Sequence, residues 1–493
     1  MSKDFLRFKN HQSVRTSDIP WLSAGLFRDT VLKACQEGTR PILLDATGSD
    51  RFTVVLADDR EHSLLCAGCV LEGKSGYQSL SAEFPAFHMF ERELWENSGI
   101  VPIGHPWLKP VRYPHNAIES REMTDYPFFS VHGEEVHEVG VGPVHAGIIE
   151  PGHFRFMCNG ERVFHLEIQL GYQHRGVEQL MLKGNFFNKS VLSESITGDS
   201  TIAHVSAYCG ALEALAGITL STRALSIRVF AQEIERAACH FGDLAALAND
   251  VAYLPASSFY GNFRTPLINM LQSICGNRFG KGLIRPGGVA CDISQSSLPE
   301  RREQLKDIRA SFRIITEDLF SSASVLSRFE KTGTVPMETA AEIGMTGLAG
   351  RASGLAHDIR VHHPYSWYKL NRIEPVTQTG GDVLARALQR RDEAEQSFEL
   401  ALKILDELPA GELRRPPETL QASSMAVALT EGWRGEVAHM AVTGADGKLT
   451  RYRVKDPSFT NWFGLALAVR NNEISDFPLC NKSFNLSYCG NDL

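Results

Sequence analysis

The stretch Arg223–Asn249, RALSIRVFAQEIERAACHFGDLAALAN, decides how most of this chain folds. Its apolar residues recur at intervals of three and four, which is the period of one face of an α-helix. Glu233 and Arg236, three residues apart, fall on the same face of such a helix. The same spacing occurs in three more stretches, Thr201–Leu215, Pro299–Phe329 and Val383–Leu408. The sequence therefore predicts a large, mainly helical bundle over residues 140–493.

The first part of the chain has a different pattern, in which short apolar runs alternate with helical stretches. The strand-like runs are Arg40–Asp45, Phe52–Asp58 and Leu64–Leu71, and the helical stretches are Trp21–Gln36 and Phe90–Asn97, the second ending at Gly99. We therefore predict an α+β protein with a small α/β domain over residues 1–115. A Pro-, His- and charge-rich linker, residues 116–139, would join it to the helical domain.

Two small β-hairpins are expected in the helical domain. Phe154–Gln169 alternates between apolar and polar residues around the turn dipeptide Asn159-Gly160. A second pair of strand-like runs flanks Gly444–Gly447. Turn residues between alternating runs are typical of hairpins.

Composition excludes several classes of protein. The 493 residues carry a net charge of −8, which gives no basic surface for nucleic acid. No stretch reaches the roughly 18 apolar residues needed to cross a bilayer, and the first residues lack an apolar signal core. Ten scattered cysteines favour a reducing compartment. We expect a protein in the cytoplasm, or one held at the inner face of the cell membrane by partner subunits.

Most isolated motifs have a structural explanation. Cys66-Ala67-Gly68-Cys69 lies in an apolar run with no second cysteine pair to complete a metal site, so we expect both thiols to be buried. The segment Gly344–Gly354 lacks the strand–turn–helix setting of a dinucleotide site. The histidines between 145 and 204 do not have the spacing of metal ligands, and they could instead donate to carbonyl or phenolate oxygens. They are His145, His153, His165, His174 and His204.

Asp199 lies between Thr197 and Ser200, directly before the predicted helix Thr201–Leu215. All three residue types can accept from the free N–H groups of a helix N-terminus. A capping role and a ligand role therefore remain open for these residues.

A series of short segments in one order carries a family pattern. The segments are Gly142–His145, Glu150–Arg155, Gly171–Glu178, Glu233–His240, Arg351–Gly354, Asp358–Arg360, His363–Tyr365 and Arg434–Glu436. Together they resemble the large subunit shared by complex I and the membrane-bound, energy-converting nickel–iron hydrogenases. Glu91–Ile100 and Gly104–Pro106 resemble the small partner subunit that precedes the large subunit in formate hydrogenlyase. The resemblance implies a fused, hydrogenase-like large subunit.

The segments Ile196–Ser200 and Ser487–Asp492 resemble the two Cys-x-x-Cys segments that bind nickel and iron in this family. Where the four thiolates are expected, this chain has Thr197, Ser200, Ser487 and Gly490. Nickel and low-spin iron require soft thiolates, which hydroxyls do not replace. The resemblance therefore implies that no metal is bound by this chain's own ligands.

In complex I the corresponding cavity receives a quinone, held by a histidine and a tyrosine. His153 matches that histidine only after an insertion, and Glu194 stands near the tyrosine's position. The resemblance implies a pocket lined by His145, His153, Glu194, Asp199, Arg434 and Asp492. His174, Arg175 and Glu178 are expected to face a neighbouring 4Fe-4S cluster held by a partner.

The resemblance implies three possible functions. In the first, the chain passes electrons from a partner iron–sulfur subunit toward a quinone or another acceptor, and couples this transfer to ion translocation. In the second, it is a non-catalytic coupling scaffold; in the third, it is a formate hydrogenlyase-type hydrogenase with unusual ligands. The expected partners are an iron–sulfur small subunit, a ferredoxin-like subunit and membrane subunits, which together form a hetero-oligomer.

Overall fold

A computed structural model describes residues 4–73, 75–114, 117, 121–145 and 149–493 of the chain. Its first part contains eight strands and two helices. These are β1 (Leu6–Phe8), β2 (Gln12–Arg15), β3 (Trp21–Ser23), α1 (Ala24–Gln36), β4 (Arg40–Ala46), β5 (Arg51–Asp58), β6 (Ser63–Val70), β7 (Gly76–Gln78), α2 (His88–Ser98) and β8 (Val101–Ile103). The main sheet has the order β1-β6-β5-β4, with β3 parallel to β6. Strands β7 and β8 form a separate parallel pair.

Both faces of this sheet are buried, which explains its uninterrupted apolar runs. Along β6, Leu65 and Ala67 belong to the core shared with α1 and α2, whereas Leu64 and Cys66 belong to the larger core of the remaining chain. Cys69 lies in the first of these cores, so the two cysteines of the Cys-x-x-Cys motif face opposite sides. Burial raises the pKa of each thiol to about 12. The structural interpretation of this motif is confirmed.

A three-stranded sheet of order β11-β10-β9 follows, made by β9 (His137–Val141), β10 (His153–Asn159) and β11 (Arg162–Gln169). Strands β10 and β11 pair around Asn159 and Gly160, as the sequence predicts. The preceding segment makes fixed contacts: Tyr126 is buried, and the N–H of Phe129 donates to Glu167. The N–H of Phe129 therefore ties the chain before β9 to β11, while most of residues 129–136 are exposed.

The helical part contains eleven helices and a short two-stranded pair within the described residues. The elements are α3 (Val177–Leu182), α4 (Ser190–Ser193), α5 (Thr201–Ala216), α6 (Thr222–Asp250), α7 (Leu254–Cys275), β12 (Ile284–Arg285), β13 (Gly288–Val289), α8 (Leu298–Ser321), α9 (Ala323–Phe329), α10 (Met337–Glu342), α11 (Gly347–Ala352), α12 (Ile359–His362) and α13 (Val383–Asp406). Helix α6 packs against α7 and α13 at the centre of the bundle. No helix in the described part of the chain has both the length and the apolar character needed to cross a membrane.

The chain ends with a second large sheet and three helices. They are β14 (Ser424–Glu431), β15 (Glu436–Thr443), β16 (Leu449–Lys455), α14 (Ser458–Ala468), α15 (Phe477–Phe484) and α16 (Tyr488–Asp492). The sheet order is β16-β15-β14-β2, so a strand from the beginning of the chain completes it. Val14 pairs with Met425 in this register. The hairpin expected around Gly444–Gly447 is β15–β16.

The α+β class is confirmed, and the division into two domains stays a prediction. Two helical predictions need correction in detail. The stretch Pro299–Phe329 is interrupted at Ser322, whose extended ψ of 115° ends α8 before α9 begins. The stretch Trp21–Gln36 begins with strand β3 rather than with a helix, because Trp21, Leu22 and Ser23 pair with β6.

Candidate functional site

The four positions where the resemblance places metal-binding thiolates lie together between α5 and α16. A Cβ atom added at Gly490 would lie 2.8 Å from Thr197 Cγ2 and 2.9 Å from Ser487 Oγ. Thr197 Oγ1 accepts from the N–H of Ser200 at 3.0 Å. Ser487 Oγ accepts from the N–H of Gly490 at 2.9 Å and so caps α16. The fold therefore brings together all four residues that the sequence singles out.

This donor set does not fit a nickel–iron centre. Gly490 has no side chain, and the space a Cβ would need there is already taken by Asp456 Cγ, 2.7 Å away. The hydroxyl oxygens of Thr197 and Ser487 each accept from the backbone N–H group three residues further on, and the bond to Ser487 caps α16. Hydroxyls are also hard ligands, unsuited to this metal pair. Within the described residues, no three His, Cys, Asp or Glu side chains are grouped to hold a metal ion.

Asp199 forms a two-point ion pair with Arg434. The guanidinium donates to Oδ1 at 2.6 Å and to Oδ2 at 2.7 Å, and its Nε donates to the carbonyl of Asn485 at 2.5 Å. Arg434 also stacks on Trp433, 3.9 Å from its ring centre. Burial alone would lower the pKa of Arg434, yet Asp199 holds it above its usual value. The carboxylate of Asp199 thus binds Arg434 and is not a helix cap.

The N-terminus of α5 receives its acceptor from another helix. Glu235 of α6 is buried, and its Oε1 accepts from the N–H of Ile202 at 2.8 Å. Burial is the main reason that the pKa of Glu235 rises to about 8, and the nearby carboxylate of Asp199 adds to this rise. The N–H groups of Ile202 and Ala203 oppose it. Glu235 is therefore a buried acid that changes protonation near neutral pH, beside the Asp199–Arg434 pair.

In the sequence, Glu235 stands out only as part of the family segment Glu233–His240, and no role is predicted for it. A signal was present, because a carboxylate in the middle of the apolar stretch Arg223–Asn249 needs a buried partner. What the sequence does not contain is the partner's identity, since Glu235 and Ile202 are 33 residues apart.

Gly152, directly before His153, packs on Tyr488 of α16. A Cβ at Gly152 would lie 2.7 Å from the Tyr488 ring. His145 donates from Nε2 to the carbonyl of Gly152 at 2.9 Å, and His153 donates from Nδ1 to the carbonyl of Gly142 at 3.1 Å. The interpretation that these histidines donate to carbonyl oxygens is confirmed, and both acceptors belong to the loop between β9 and β10.

Two other predicted site residues, Glu194 and Asp492, bind neighbouring segments of the chain. Glu194 is buried and accepts from the N–H of Gly282 at 2.8 Å and from Arg285 at 2.7 Å. Asp492 accepts from the N–H of Gly171 at 2.8 Å and of Gln173 at 2.9 Å. Burial raises the pKa of Asp492, while these bonds oppose the rise. Glu194 and Asp492 therefore fix neighbouring chain segments in place.

The residues expected to face a partner's cluster point in two directions. Arg175 donates to the carbonyls of Ser195, Ile196 and Cys489, and so joins the two degenerate metal-binding segments. His174 and Glu178 instead line a cavity of about 180 Å³ next to β16. There Glu178 accepts from Arg453 at 2.6 Å. His174 Nδ1 also donates to the carbonyl of Asp492 at 2.8 Å, so Arg175 and His174 both contact the degenerate metal-binding segments.

A row of buried titratable side chains leads away from Gly490. Asp456 Oδ2 lies 3.1 Å from His204 Nε2, and His204 Nδ1 lies 3.1 Å from His439 Nε2. His439 Nδ1 in turn lies 2.7 Å from the hydroxyl of Tyr452 on β16. Both histidines are fully buried, and burial holds the pKa of His439 well below its usual value. The row connects the candidate site with the edge strand β16 of the C-terminal sheet.

Comparison with known proteins assigns the family. Residues 28–127 match the family described as respiratory-chain NADH dehydrogenase, 30 Kd subunit, and residues 250–426 match the 49 Kd subunit. The carbon monoxide-induced hydrogenase of Rhodospirillum rubrum is 30% identical over 350 residues, which cover 71% of this chain and 97% of that protein. The chain belongs to the family of complex I 49-kDa and membrane-bound hydrogenase large subunits. The resemblance seen in the sequence is confirmed.

Other members of this family match over a longer part of the chain. Formate hydrogenlyase subunit 5 of Escherichia coli is 28% identical over 439 residues, which cover 85% of this chain and 77% of that protein. Its match, and the order of the two matched families, agree with a fused large subunit. A chain of the membrane-bound sulfane sulfur reductase, an archaeal respiratory membrane complex, has the same fold with a TM-score of 0.68. It is 24% identical and covers 73% of this chain and 99% of its own length.

Proposed function

We propose that this family member is the large subunit in the electron-transfer arm of a membrane-bound, hydrogenase-related oxidoreductase complex, and that it works without a nickel–iron centre. The observation that carries the proposal is the convergence of Thr197, Ser200, Ser487 and Gly490 at one place with no sulfur ligand among them. The family scaffold is retained, whereas the donor set that its hydrogen chemistry requires is not.

Electrons are then supplied by a partner. In this proposal the 4Fe-4S centre is held by an iron–sulfur small subunit, as the complex I-like relatives support. Relatives are named as subunits of formate hydrogenlyase and of NADH-quinone oxidoreductase, which supports a hetero-oligomer with a ferredoxin-like subunit and membrane subunits. The complex would hold this chain at the inner face of the cell membrane.

The acceptor is a quinone or another small oxidised molecule. Gly152, directly before His153, packs on α16 beside the degenerate positions, and Arg434 offers a cation whose partner Asp199 is partly exposed. Charge that arrives on a nearby acceptor changes the protonation of buried acids. Negative charge near Asp199 would raise the pKa of Glu235 further above about 8 and complete its protonation, and the separate row from Asp456 to Tyr452 is a second set of buried groups that would respond. This is a route for coupling electron transfer to ion translocation.

The primary test uses the intact complex. We expect no stoichiometric nickel by inductively coupled plasma mass spectrometry, no hydrogen evolution, and electron transfer to a quinone such as menadione from a reduced iron–sulfur donor. One nickel per chain together with hydrogen evolution would refute the proposal and favour the third possibility, a formate hydrogenlyase-type hydrogenase.

A second candidate function, the non-catalytic coupling scaffold, is supported by a specific observation. The predicted site residues are all engaged with groups of the chain itself: His145 and His153 with loop carbonyls, Glu194 with Arg285, Asp199 with Arg434, and Asp492 with backbone N–H groups. Such a pocket can transmit movement between neighbouring subunits without binding an acceptor.

Two variants separate these candidates. In the enzyme, His153→Gln and Arg434→Met lower acceptor reduction at least tenfold while the complex still assembles. In the scaffold, acceptor reduction is unchanged and ion translocation per electron falls. His137→Gln is the matched control, because His137 is exposed on β9, and it leaves both rates unchanged.

A further inference from the structure

Four buried side chains form a hydrogen-bonded row between the candidate site and strand β16. Asp456, directly after β16, is one end of the row, and its Cγ lies 2.7 Å from the position of a Cβ at Gly490. His204 of α5 and His439 of β15 follow, and Tyr452 of β16 is the other end. Each of the four residues is at most 3% exposed. Their contacts with one another therefore decide where the protons of the row lie.

The acid end of the row fixes the order of donors and acceptors. Burial favours the neutral form of Asp456, but the bond from His204 and the charge of Arg434 hold the pKa of this carboxyl below its usual value. An ionised carboxylate only accepts hydrogen bonds. His204 therefore carries a proton on Nε2, which lies 3.1 Å from Oδ2 of Asp456.

The order continues through the two imidazole rings. A neutral His204 presents a lone pair on Nδ1, which accepts from Nε2 of His439 at 3.1 Å. His439 is neutral as well, because burial holds its pKa well below the usual value. Its Nδ1 therefore accepts from the hydroxyl of Tyr452 at 2.7 Å. In this resting order every proton of the row points toward Asp456.

A second complete order exists, and it contains one more proton. Tyr452 passes its hydroxyl proton to Nδ1 of His439, and the Nε2 proton of His439 moves to Nδ1 of His204. The Nε2 proton of His204 moves to Oδ2 of Asp456. A proton from water then restores the hydroxyl of Tyr452, so one proton enters at the tyrosine and one arrives at the carboxyl. Both rings are neutral in each order, which suits their burial.

The two ends of the row suit these roles. Of the four residues, Tyr452 is the one that lines the cavity of about 180 Å³ next to β16. Asp456 lies at the other end, beside the degenerate position Gly490. Arg434 favours the ionised carboxylate, so the resting order persists until negative charge arrives nearby.

Other titratable groups near the row stay in one form. Burial raises the pKa of Tyr208 and of Cys209, both on α5, so these two groups remain neutral. Near Tyr452, Glu178 is bound to Arg453 and to the N–H of Val454. The members of the row are therefore the groups that change protonation.

On the acid side, Arg112 is close enough to be affected by the charge of Asp456. It donates to Glu93 and to the carbonyl of Asn491. Its charge is therefore the same in both orders of the row.

We propose that this row delivers a proton to Asp456 when an electron reaches the acceptor of the proposed redox function. The inference rests on that function for its trigger, because negative charge next to Asp456 favours the protonated carboxyl. It adds the direction of proton movement, from β16 toward the candidate site, and assigns the transfer to His204 and His439. The electron comes from the partner subunit and the proton comes from water.

Asp456→Asn tests the order of the row without any electron transfer. Oδ1 of Asp456 accepts from the N–H of Ser458 at 2.8 Å, so the amide oxygen of asparagine keeps this place. The amide nitrogen then takes the place of Oδ2 and donates to Nε2 of His204. His204 must carry its proton on Nδ1, and His439 must do the same. The variant is therefore expected to hold the row in the second order.

The measurement is nitrogen NMR of the histidine-labelled full-length chain at about pH 9, well above the ordinary histidine pKa of about 6.5. We expect the proton of His439 on Nε2 in the wild type and on Nδ1 in Asp456→Asn. His439→Gln assigns the resonance among the 17 histidines. Asp446→Asn is the matched control, because Asp446 is exposed in the turn between β15 and β16, and it should keep the wild-type tautomer. Tyr452→Phe should also keep it, since the carboxylate sets the order.

Proton delivery is measured in the intact complex, with a pH indicator in stopped flow after reduction by dithionite. Tyr452→Phe removes only the hydroxyl at which protons enter, and it should slow proton uptake about tenfold or more. The rate at which the iron–sulfur donor is reduced should not change. Asp446→Asn should leave both rates as in the wild type. Thermal scans show whether each variant folds, and Tyr452→Phe tests the row independently of Asp456→Asn.

Three outcomes would overturn the proposal. They are a proton on Nδ1 of His439 in the wild type at about pH 9, the same tautomer in the wild type and Asp456→Asn, and unchanged proton uptake in Tyr452→Phe. The NMR measurements need neither a cluster nor an acceptor. One nickel per chain, or no acceptor reduction, would overturn the proposed function and leave the tautomers as they are, so the two proposals fail separately.

Discussion

At the scale of single residues, Arg434 makes the most specific contacts of the candidate site. It bonds to Asp199 through two nitrogens, to Asn485 through a third, and stacks on Trp433. Lysine keeps the charge but has neither the two-point geometry nor the planar face. We therefore expect Arg434→Lys to lower the free energy of unfolding by about 1–3 kcal/mol, as measured by urea denaturation.

The matched control for this change is Arg313→Lys. Arg313 also bonds to a carboxylate, Glu395, but its side chain is 59% exposed. Exposed ion pairs contribute roughly 0–1 kcal/mol. Equal losses in the two variants would show that the planar, stacked geometry of Arg434 adds no stability.

The raised pKa of Glu235 predicts that the stability of the protein depends on pH. Its pKa is near 4.5 in the unfolded chain and rises to about 8 in the folded protein, chiefly through burial. Between these values the folded state binds a proton that the unfolded state has released, so stability falls as pH rises from about 5 to 8. Glu235→Gln, which stays neutral, should remove this part of the slope. The measurement is the urea midpoint at several pH values for both proteins.

Two outcomes distinguish the titration of Glu235 from the loss of its contact with α5. If the wild type and Glu235→Gln show the same slope between pH 5 and 8, Glu235 is ionised throughout this range. The conservative change keeps an oxygen for the N–H of Ile202. A loss of stability that is the same at every pH would therefore come from a weaker contact with the N-terminus of α5 and not from the titration of Glu235.

At the scale of elements, the packing of α16 against Asp456 and the segment before α5 depends on the absence of a side chain at Gly490. A Cβ there would lie 2.7–2.9 Å from Asp456, Thr197 and Ser487, none of which is the end of a long side chain. Overpacking of this kind costs about 1–3 kcal/mol. We expect Gly490→Ala to lower the melting temperature measured by calorimetry.

Gly261→Ala is expected to raise the melting temperature in the same assay. Gly261 is exposed in α7, and a Cβ there meets nothing within 4 Å. Alanine in an exposed helix interior is favoured by about 0.5–1 kcal/mol. Stabilisation by both changes would mean that α16 can move away from Thr197, and would weaken the argument that this site rejects a metal-binding side chain at residue 490.

The sequence predicts elements better than contacts between them. The periodicity of Arg223–Asn249 is sufficient to predict α6, because apolar residues at three- and four-residue spacing over so long a stretch fit only a helix. Helix α7 is not predicted, since Pro266 and several polar residues interrupt its pattern, yet α6 and α8 provide its packing surface. The pairing of β2 with β14 joins residues about 410 positions apart, and no local pattern encodes it.

The candidate site shows the same limit. Family segments predict that Thr197, Ser200, Ser487 and Gly490 lie together, and the structure agrees. They do not predict that Asp199 binds Arg434, 235 residues away, or that Glu235 accepts from α5. The domain boundaries at 115 and 140 stay a prediction.

At the scale of the whole molecule, buried ion pairs join the small sheet domain to the rest of the chain. Glu436 on β15 accepts from Arg40 on β4 and from Lys455 on β16, and all three side chains are at least 85% buried. Asp59 bonds to His363 at 2.8 Å. Phe459 of α14 belongs to the apolar core of the small domain. These contacts indicate one cooperative unit in spite of the two family matches.

This arrangement predicts the result of cutting the chain between its two parts. A protease site inserted at Gly133, in an exposed turn before β9, should be cleaved in the native protein. The two fragments should nevertheless remain associated in size-exclusion chromatography, because the interface does not depend on the connecting peptide. Glu436→Gln leaves Arg40 and Lys455 without their buried carboxylate, a loss of about 3–5 kcal/mol, and the cleaved variant should separate. Glu412→Gln, which removes an exposed pair with Arg415, should not separate. Separation of the cleaved wild type would show instead that the peptide link, and not the buried ion pairs, holds the domains together.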